Sequence, residues 1–379
     1  MIFDPSEENE LIRGTVRQFA EEQLLPGALA RDKEHRFADK QARAFAEMGF
    51  LGMTISEEYG GTPLEDVSES IVIEELSRCD ASFGVFVAVH CGLVSKTIAR
   101  WGTDEQKRRY LPRLASGELY GAYSLSEYSA GSDAAALSCR AERRGDRYVL
   151  NGTKAWVTNG SVAGLYVLMA RTDPNVSKAK GITAFVIERD CPGFRIGKLE
   201  DKLGINASDT AELILENVEV PAENVLGGEG MGFKVALNAL DVSRIGIAAQ
   251  ALGIAQGAYE CAKRYAGERM AFDQPILQFQ SIGNYLADMS TRIEAARMLT
   301  YRAAYLKGKG VKHTCESSQA KLFASETAIW VSEKAVQVLG GYGYTTDFPA
   351  ERFYREAKIT TIYEGTSEIQ RVVIARNLP

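Results

Sequence analysis

The sequence predicts an α+β protein with an all-α N-terminal domain, a central β-domain and a C-terminal four-helix bundle. Apolar residues recur at helical spacing up to about residue 118, short β-rich runs follow to about residue 225, and long stretches with few helix breakers fill the rest. Because strands and helices do not alternate, a Rossmann fold is disfavoured. We place the domains at 1–118, 119–228 and 229–379.

Composition limits the class of protein. Of the 379 residues, 45% are hydrophobic and 25% charged, enough for two or three domain cores. The net charge of −6 is modest and the basic residues are scattered, so nucleic-acid binding is not indicated. The six cysteines form no CxxC pair, which predicts a reducing compartment with neither disulfides nor a metal site. The acidic amino terminus has no apolar signal stretch, and we expect no segment as long as a membrane span, so a cytoplasmic protein is predicted.

Capping signals locate helices in the first domain. The segment DPSE at 4–7 combines an N-cap residue, a proline at the first helical position and a capping-box acid, which predicts a helix running to Pro26. Another helix should begin at Thr103, whose capping-box partner is Gln106. Further helical periodicity is present at 38–48, 67–79 and 84–101.

The central and C-terminal parts have different periodicities. Asn151-Gly152 and Asn159-Gly160 are strong turn signals between β-rich runs. The β-rich runs are 147–150, 155–158, 164–169, 181–187 and 211–215. The later helical segments, long enough to pack as an antiparallel bundle, are 231–268, 278–308 and 314–339.

Two kinds of feature are suited to holding a cofactor, and each has a common structural alternative. The glycine-bearing loops at 129–133 and 340–343 offer backbone N–H groups to a phosphate, although such glycines more often mark turns. Trp156 has an aromatic face that can flank a planar cofactor, although a tryptophan in a β-run more often fills a core. Taken singly, both features favour the structural alternative.

Glu364 is the candidate for acid–base chemistry. It precedes a helix that Ser367 and Gln370 are predicted to cap. Its carboxylate either points into a cleft or lies in solvent, where the helix dipole favours negative charge. From these residues alone the solvated alternative is favoured.

Six short segments in a fixed order favour the cofactor-binding and acid–base roles over these structural alternatives. They are GAYSLSE at 121–127, AGSD at 130–133, WVTNG at 156–160, RMAF at 269–272, QVLGG at 337–341 and YEGT at 363–366. Their order and spacing, over essentially the whole chain, resemble the FAD-dependent acyl-CoA dehydrogenase family. The resemblance implies that Glu364 removes the α-proton of an acyl-CoA thioester while the β-hydride passes to FAD, which yields a trans-2-enoyl-CoA. It also implies a homotetramer whose electrons pass to electron-transferring flavoprotein.

The same resemblance assigns roles to individual residues. Those expected around FAD are Tyr123, Leu125, Ser126, Ser132, Trp156, Thr158 and Thr366. Those expected to reach the FAD of a neighbouring subunit are Arg269, Phe272, Gln337, Gly340 and Gly341. Those expected along the substrate are Asp241, Ser243 and Arg244 at the pantetheine, and Tyr363 and Gly365 beside the base. The positions that depart from the family's usual pattern are Tyr128, Ala271 and Asp273.

The helix at 83–92 is expected to line the acyl pocket. Its candidate wall residues are His90 and Cys91, although both side chains are equally suited to a core. Residues expected to shorten the pocket are Phe83, Phe86 and Tyr363.

The charges missing from this helix restrict the substrate. Residues 83–92 contain no arginine for a second carboxylate, and 83–100 contain no Asp or Glu for a second base. We therefore predict a short or medium, branched or alicyclic monocarboxylic acyl-CoA. Two alternatives stay open: a flavin oxidase on the same scaffold, and a catalytically silent flavin-binding interaction protein.

Overall fold

A computed structural model of the chain describes residues 6–378. It confirms the α+β architecture, with helices first, a mixed sheet in the middle and helices again at the end. Asp4 and Pro5 of the predicted capping segment lie outside the described residues. Ser6 caps the first helix, and its Oγ accepts a hydrogen bond from the Asn9 N–H at 3.2 Å.

The N-terminal part is entirely helical. Its helices are α1 (Glu7–Phe19), α2 (Ala28–Glu34), α3 (Asp39–Glu47), α4 (Asp66–Cys79), α5 (Ala81–Val87), α6 (Lys96–Trp101) and α7 (Asp104–Ala115). A π-helical turn at 20–24 extends α1, and π-helical turns at 88–95 join α5 to α6. The capping box predicted at the start of α7 is confirmed, because the Gln106 N–H donates to Thr103 Oγ1 at 3.2 Å and the Thr103 N–H donates to Gln106 Oε1 at 2.9 Å.

A mixed sheet forms the middle of the chain. Its strands are β1 (Gly121–Ser124), β2 (Arg140–Arg144), β3 (Arg147–Thr158), β4 (Leu165–Arg171), β5 (Ile182–Glu188), β6 (Phe194–Leu199), β7 (Thr210–Pro221) and β8 (Val225–Leu226). The strand order is β6-β7-β3-β2-β4-β5-β8, and β1 pairs with β4. The β1–β4 and β2–β4 pairs are parallel and the others antiparallel.

One of the two predicted turns is wrong. Asn151-Gly152 lies inside β3, which continues along β7 with a shift in register between Leu150 and Gly152. Gly152 has φ +149°, and a Cβ there would approach the Cys139 Cα to 2.8 Å, so the glycine allows close approach of β2 rather than a turn. Asn159-Gly160 does turn, with φ +64° at Asn159.

The C-terminal part contains three long helices and two short ones among the described residues. The elements are α8 (Gly232–Glu268), the hairpin β9 (Met270–Ala271) and β10 (Gln274–Pro275), α9 (Gln280–Gly308), α10 (Thr314–Leu339), α11 (Ala350–Ile359) and α12 (Ser367–Arg376). The long helices pack together, and α8 also packs against α4 of the N-terminal part. A continuous apolar core therefore joins the helical regions to one face of the sheet.

The predicted cap of α12 is wrong by one residue. Thr366 is the cap, with its Oγ1 accepting from the Ile369 N–H at 3.3 Å, and Ser367 is already helical. The Gln370 amide does not complete a capping box with Ser367. It donates instead to the carbonyl oxygens of Glu364 and Gly365 at 3.2 and 2.9 Å.

The expectation that no segment reaches the length of a membrane span was also wrong. The helical stretches Ala81–Trp101 and Gly232–Glu268 are both long and apolar enough by composition. In their most apolar windows, however, 83% and 67% of the residues are buried inside the protein. Their apolar character is therefore explained by core packing.

A buried ionic network ties α1 to α4. The Glu75 carboxylate, which is 1% exposed, accepts from Arg13 and Arg17 of α1 at 2.9 and 2.8 Å. Arg78 of α4 donates to the same carboxylate at 3.1 Å. Burial alone would raise the pKa of Glu75, but the hydrogen bond from Arg17 and the neighbouring charges hold it below its usual range. Glu75 therefore supplies a shared counter-charge to three arginines, of which Arg13 and Arg78 are largely buried and Arg17 is partly exposed.

We expect Glu75→Ala to lower the free energy of unfolding by about 3–5 kcal/mol, because the largely buried Arg13 and Arg78 lose a carboxylate that both contact. The control is Glu34→Ala, which breaks an exposed pair with Arg36 and should cost less than about 1 kcal/mol. Urea unfolding of the flavin-loaded protein measures both. Equal losses in the two variants would contradict the structural role of the network.

Candidate active site

A cleft of about 730 Å³ lies between the sheet and the C-terminal helices. A smaller cavity of about 120 Å³ adjoins it, and Glu364 lines both. Residues from the sheet region that line the large cleft are Leu125, Ser126, Ser132, Trp156 and Thr158. Residues from the helical region that line it are Leu240, Arg244, Tyr363, Gly365 and Thr366. Most of the residues predicted around FAD therefore share one cleft with the candidate base.

Glu364 occupies a strained turn between α11 and α12. Its φ is +54°, in the left-handed region that residues with a side chain rarely adopt, and Gly365 follows with φ +90°. The Gln370 amide holds both carbonyl oxygens of this turn, and Lys321 Nζ donates to the Gly365 oxygen at 2.7 Å. Contacts from two helices thus keep the turn in a conformation that its own backbone disfavours.

The Glu364 carboxyl has an environment suited to a base at neutral pH. Burial raises its pKa to about 7, and a hydrogen bond from Ser243 Oγ together with the charges of Lys321 and Arg244 opposes a larger rise. A group whose pKa is near the working pH both accepts and releases a proton readily. Within residues 6–378, the Glu364 N–H donates to no acceptor. It is therefore free to bind an oxygen atom of a ligand.

Trp156 lines the sheet side of the large cleft instead of filling a core. It has φ +55° and is 50% exposed, so its ring borders the cleft. Tyr128, which departs from the family's pattern, packs against it edge to face with the ring centroids 5.4 Å apart. The loop before Ser132 therefore has an aromatic contact with Trp156.

The loop at 125–130 is fastened to β3 by a buried ion pair. Lys154 Nζ donates to a Glu127 carboxylate oxygen at 2.9 Å and to the Leu125 carbonyl oxygen at 3.0 Å. The Ala155 N–H donates to the Ser126 carbonyl oxygen at 3.0 Å. The position of Leu125 and Ser126 relative to the tryptophan wall is thereby set by the sheet.

The residues on the sheet side of the cleft are suited to holding FAD. The Tyr123 hydroxyl is buried beside the smaller cavity and has no hydrogen-bond partner in the described part of the chain. A buried hydroxyl without a partner is costly, and a polar flavin edge would satisfy it. Gly131 and Ser132 lie on an exposed loop at the rim of the cleft, where a pyrophosphate has access to them.

The helical wall of the small cavity is formed by other residues than those predicted to contact the acyl chain. Val85, Val89 and Leu93 line it, because residues four apart share one side of the helical stretch. His90 is fully buried on another side, where its Nδ1 accepts from the Gly121 N–H at 3.1 Å and its Nε2 contacts the Leu114 carbonyl oxygen at 3.2 Å. Burial lowers the pKa of His90 to about 4. It is a neutral core residue that joins the helix to β1.

Cys91 also lies away from the small cavity. Its thiol is buried and donates to the Leu51 carbonyl oxygen at 3.4 Å. Phe83 and Phe86, expected to shorten the pocket, pack instead into the N-terminal core with other aromatic rings. Tyr363 does line the cavity, and its hydroxyl donates to Gln250.

The three residues predicted at the pantetheine have different surroundings. Arg244 lines the cleft and pairs with Asp241 at 2.8 Å. The Asp241 side chain is one-third exposed, and Thr314 also donates to it. The Ser243 hydroxyl is turned towards Glu364.

A second depression contains most of the residues predicted to reach a neighbouring subunit. Its volume is about 470 Å³, and Arg269, Gly340 and Gly341 line it. Gln337 is exposed near the end of α10. Phe272 is 90% exposed at the tip of the β9–β10 hairpin, next to Ala271 and Asp273. Asp273 stands where the family commonly has glycine, and it adopts φ +61°, which aspartate tolerates better than most residues.

Several residues of the site had no clear sequence signal. Val85, Val89 and Leu93 are spaced four residues apart, but this apolar spacing is equally typical of a helix face packed in a core. Lys321 is the single charge between Glu316 and Glu326 of α10, which is a weak indication of a buried role. Lys154 belongs to the segment before Trp156, but its partner is 27 positions away.

The chain is similar to known proteins over almost its whole length. Models of the acyl-CoA dehydrogenase N-terminal, middle and C-terminal domains match residues 6–118, 122–218 and 230–378. The chain is 49% identical to the short-chain specific acyl-CoA dehydrogenase of Rattus norvegicus, over 98% of this chain and 90% of the relative. Butyryl-CoA dehydrogenase from Megasphaera elsdenii is 40% identical with a TM-score of 0.97, over 99% of both chains.

A further solved structure has the same fold. It is described as the electron transferring flavoprotein of Acidaminococcus fermentans in a study of electron bifurcation, and its matching chain is 47% identical with a TM-score of 0.97, over 99% of both chains. Enzymes of the matched family are FAD-dependent oxidoreductases that act on CH–CH groups, and the cleft described above is suited to that cofactor. Three domain matches and full-length similarity show that this chain belongs to the acyl-CoA dehydrogenase family.

Proposed function

We propose that this acyl-CoA dehydrogenase desaturates a short straight-chain acyl-CoA to its trans-2-enoyl-CoA, with Glu364 as the base. The observation that carries the proposal is the Glu364 carboxyl, whose pKa of about 7 and position on a small apolar cavity suit proton removal beside a flavin. Trp156 and Thr158 border the same cavity from the sheet. A thioester between the two walls would be within reach of both the base and the cofactor.

The chain's own groups account for the proton transfer. The α C–H of a thioester is a weak acid, so the developing enolate needs a donor at its oxygen. The free N–H of Glu364 is suited to that role. Entry of the acyl chain expels water, and positioning of the thioester beside the carboxylate can contribute on the order of 7–11 kcal/mol. Bound FAD supplies the acceptor for the hydride.

Several features support a short acyl chain. The cavity is small, its wall of Val85, Val89 and Leu93 is apolar, and Tyr363 lies beside Glu364 at the same cavity. No cation among the described lining residues would bind a second carboxylate. Two of the similar proteins are named for short-chain and butyryl substrates. A branched or alicyclic chain is the less supported alternative.

The remaining parts of the site are assigned by position and resemblance. FAD would be held by Tyr123, Leu125, Ser126, Ser132, Trp156, Thr158 and Thr366. The pantetheine would pass Asp241, Ser243 and Arg244, and Gly365 would adjoin the thioester. The FAD of a neighbouring subunit would be reached by Arg269, Phe272, Gln337, Gly340 and Gly341. The exposed aromatic ring of Phe272 supports burial in such an assembly, which we propose is a homotetramer.

Electrons would leave to electron-transferring flavoprotein in the cytoplasm. The half-exposed Trp156 offers a route from the cavity to the surface. The similarity to a chain in the Acidaminococcus fermentans structure supports this partner. Of the alternatives, a silent flavin-binding protein is disfavoured because the candidate base is present and its pKa is near neutrality. A flavin oxidase would have the same base and cofactor residues. It would differ by passing its electrons to oxygen.

We expect activity to peak on butyryl-CoA in a panel of straight, branched, alicyclic and dicarboxylic CoA esters assayed with an artificial electron acceptor. The small apolar cavity excludes long chains, and burial of a second carboxylate without a cation is costly. Oxygen uptake without added acceptor is measured alongside and should be slow. A maximum on a long-chain or glutaryl ester, or oxygen uptake as fast as acceptor reduction, would contradict the proposal.

We expect Glu364→Gln to retain yellow FAD while turnover falls by several orders of magnitude, because an amide cannot accept the α-proton. In the parent enzyme, kcat/KM should fall as pH drops below about 7, since the carboxyl becomes protonated. The control is Glu326→Gln, an exposed acid on α10 paired with Arg371, which should keep parental turnover. Near-parental activity of Glu364→Gln would remove this residue from the mechanism.

A further inference from the structure

Lys321 is a buried cation that the reaction described above does not use. It lies within α10 and is 0% exposed, although lysine is rarely buried unless it is paired. In the described chain, its ammonium has one hydrogen-bond acceptor, the Gly365 carbonyl oxygen at 2.7 Å. A neutral acceptor does not balance a buried charge, so the relevant counter-charge must be found nearby.

Of the charges that act on the pKa of Lys321, that of the Glu364 carboxylate has the largest effect. Burial lowers the pKa of Lys321 to about 8, while the charge of Glu364 raises it, Arg244 lowers it and the exposed Glu368 raises it. The effect is mutual, because Lys321 lowers the pKa of Glu364. Each charge therefore makes the other easier to keep in the interior.

Lys321 also holds the backbone that presents the base. Its hydrogen bond and the two from Gln370 are made to the carbonyl oxygens of Glu364 and Gly365, which have φ values of +54° and +90°. Such a conformation lasts only where surrounding contacts enforce it. Lys321 thus combines two effects on one residue, a contact with its turn and a positive charge near its carboxylate.

We propose that Lys321 is a positioning residue for the reaction, one that fixes the turn carrying Glu364 and places a positive charge near its carboxylate. The inference rests on the proposed role of Glu364 as the base. Lys321 itself does not line either cavity at the site, so it acts through its neighbour.

The other groups that face Glu364 define what remains when Lys321 is changed. Ser243 and Arg244 face it from α8, and Tyr123 faces it from β1. Tyr363 faces it from the same loop. Arg244 would then be the one cation left near the carboxyl among these described groups, and its own pKa is lowered by burial. Loss of Lys321 should therefore favour the protonated, inactive form of Glu364.

The test compares the pH dependence of kcat/KM in three variants. Lys321→Gln removes the charge but keeps an amide donor for the Gly365 oxygen, and Lys321→Met removes both. Gln370→Leu is the matched control, because it removes two hydrogen bonds from the same turn without a change in charge. Flavin absorbance of each purified variant reports whether the cofactor site has formed.

We expect the acid limb of the pH profile of kcat/KM to move up by about one pH unit in both lysine variants. This shift lowers kcat/KM about fivefold at pH 7 and much less at pH 9. Gln370→Leu should be slower at every pH with its acid limb unmoved. If Lys321→Met yields no flavinated protein, Lys321→Gln decides the question. An unmoved acid limb in Lys321→Gln, or an equal loss at every pH, would overturn the proposal.

The variant Glu364→Gln, measured in the same assay, distinguishes a failure of the Lys321 proposal from a failure of the proposed function. If it is inactive while the lysine variants keep the parental acid limb, Lys321 has no role in ionising the base and the proposed function stands. If Glu364→Gln is nearly as active as the parent, the proposed function itself is wrong, and any shift in the lysine variants has another cause.

Discussion

The opposition between burial and charge at Glu364 is the constraint on which the site depends. An apolar environment raises the pKa of this carboxyl to about 7, while Ser243 and Arg244 of α8 and Lys321 of α10 limit the rise. Without the burial, the carboxylate would be a weaker base, and without the polar neighbours it would hold its proton at neutral pH. Because these groups come from different helices, the balance requires the bundle to be packed.

The two walls of the cleft are made rigid in different ways. On the helical side, Lys321 and Gln370 hold a left-handed turn that presents Glu364. On the sheet side, the buried pair of Lys154 and Glu127 fastens the loop at 125–130 to β3. A thioester would bind between surfaces that are already positioned, which lowers the entropy that the reaction must overcome. The proposed chemistry is therefore supported by contacts remote from the reacting atoms.

Local signals were sufficient where the interacting residues are close together in the sequence. The capping box at Thr103 formed as predicted, because its partners are three residues apart and need no other contact. Asn151-Gly152 has the same local character as a turn, yet pairing of β3 with β7 and the approach of Cys139 override it. At α12, the amide of Gln370 binds the turn at Glu364 and Gly365 instead of capping its own helix. Local preferences failed where a distant partner competed for the same groups.

The sequence by itself determined the order of helical and β-rich regions, the family and the residues to consider as base and cofactor ligands, because these depend on periodicity and on short segments of characteristic composition. Only the tertiary structure decided that Val85, Val89 and Leu93 line the small cavity at Glu364 while His90 joins the helix to β1. It alone placed the ammonium of Lys321 against the carbonyl oxygen of Gly365, 44 positions later in the chain. The physical reason is that burial, pKa and the enforcement of a strained turn arise from contacts between segments far apart in sequence, which no local pattern specifies.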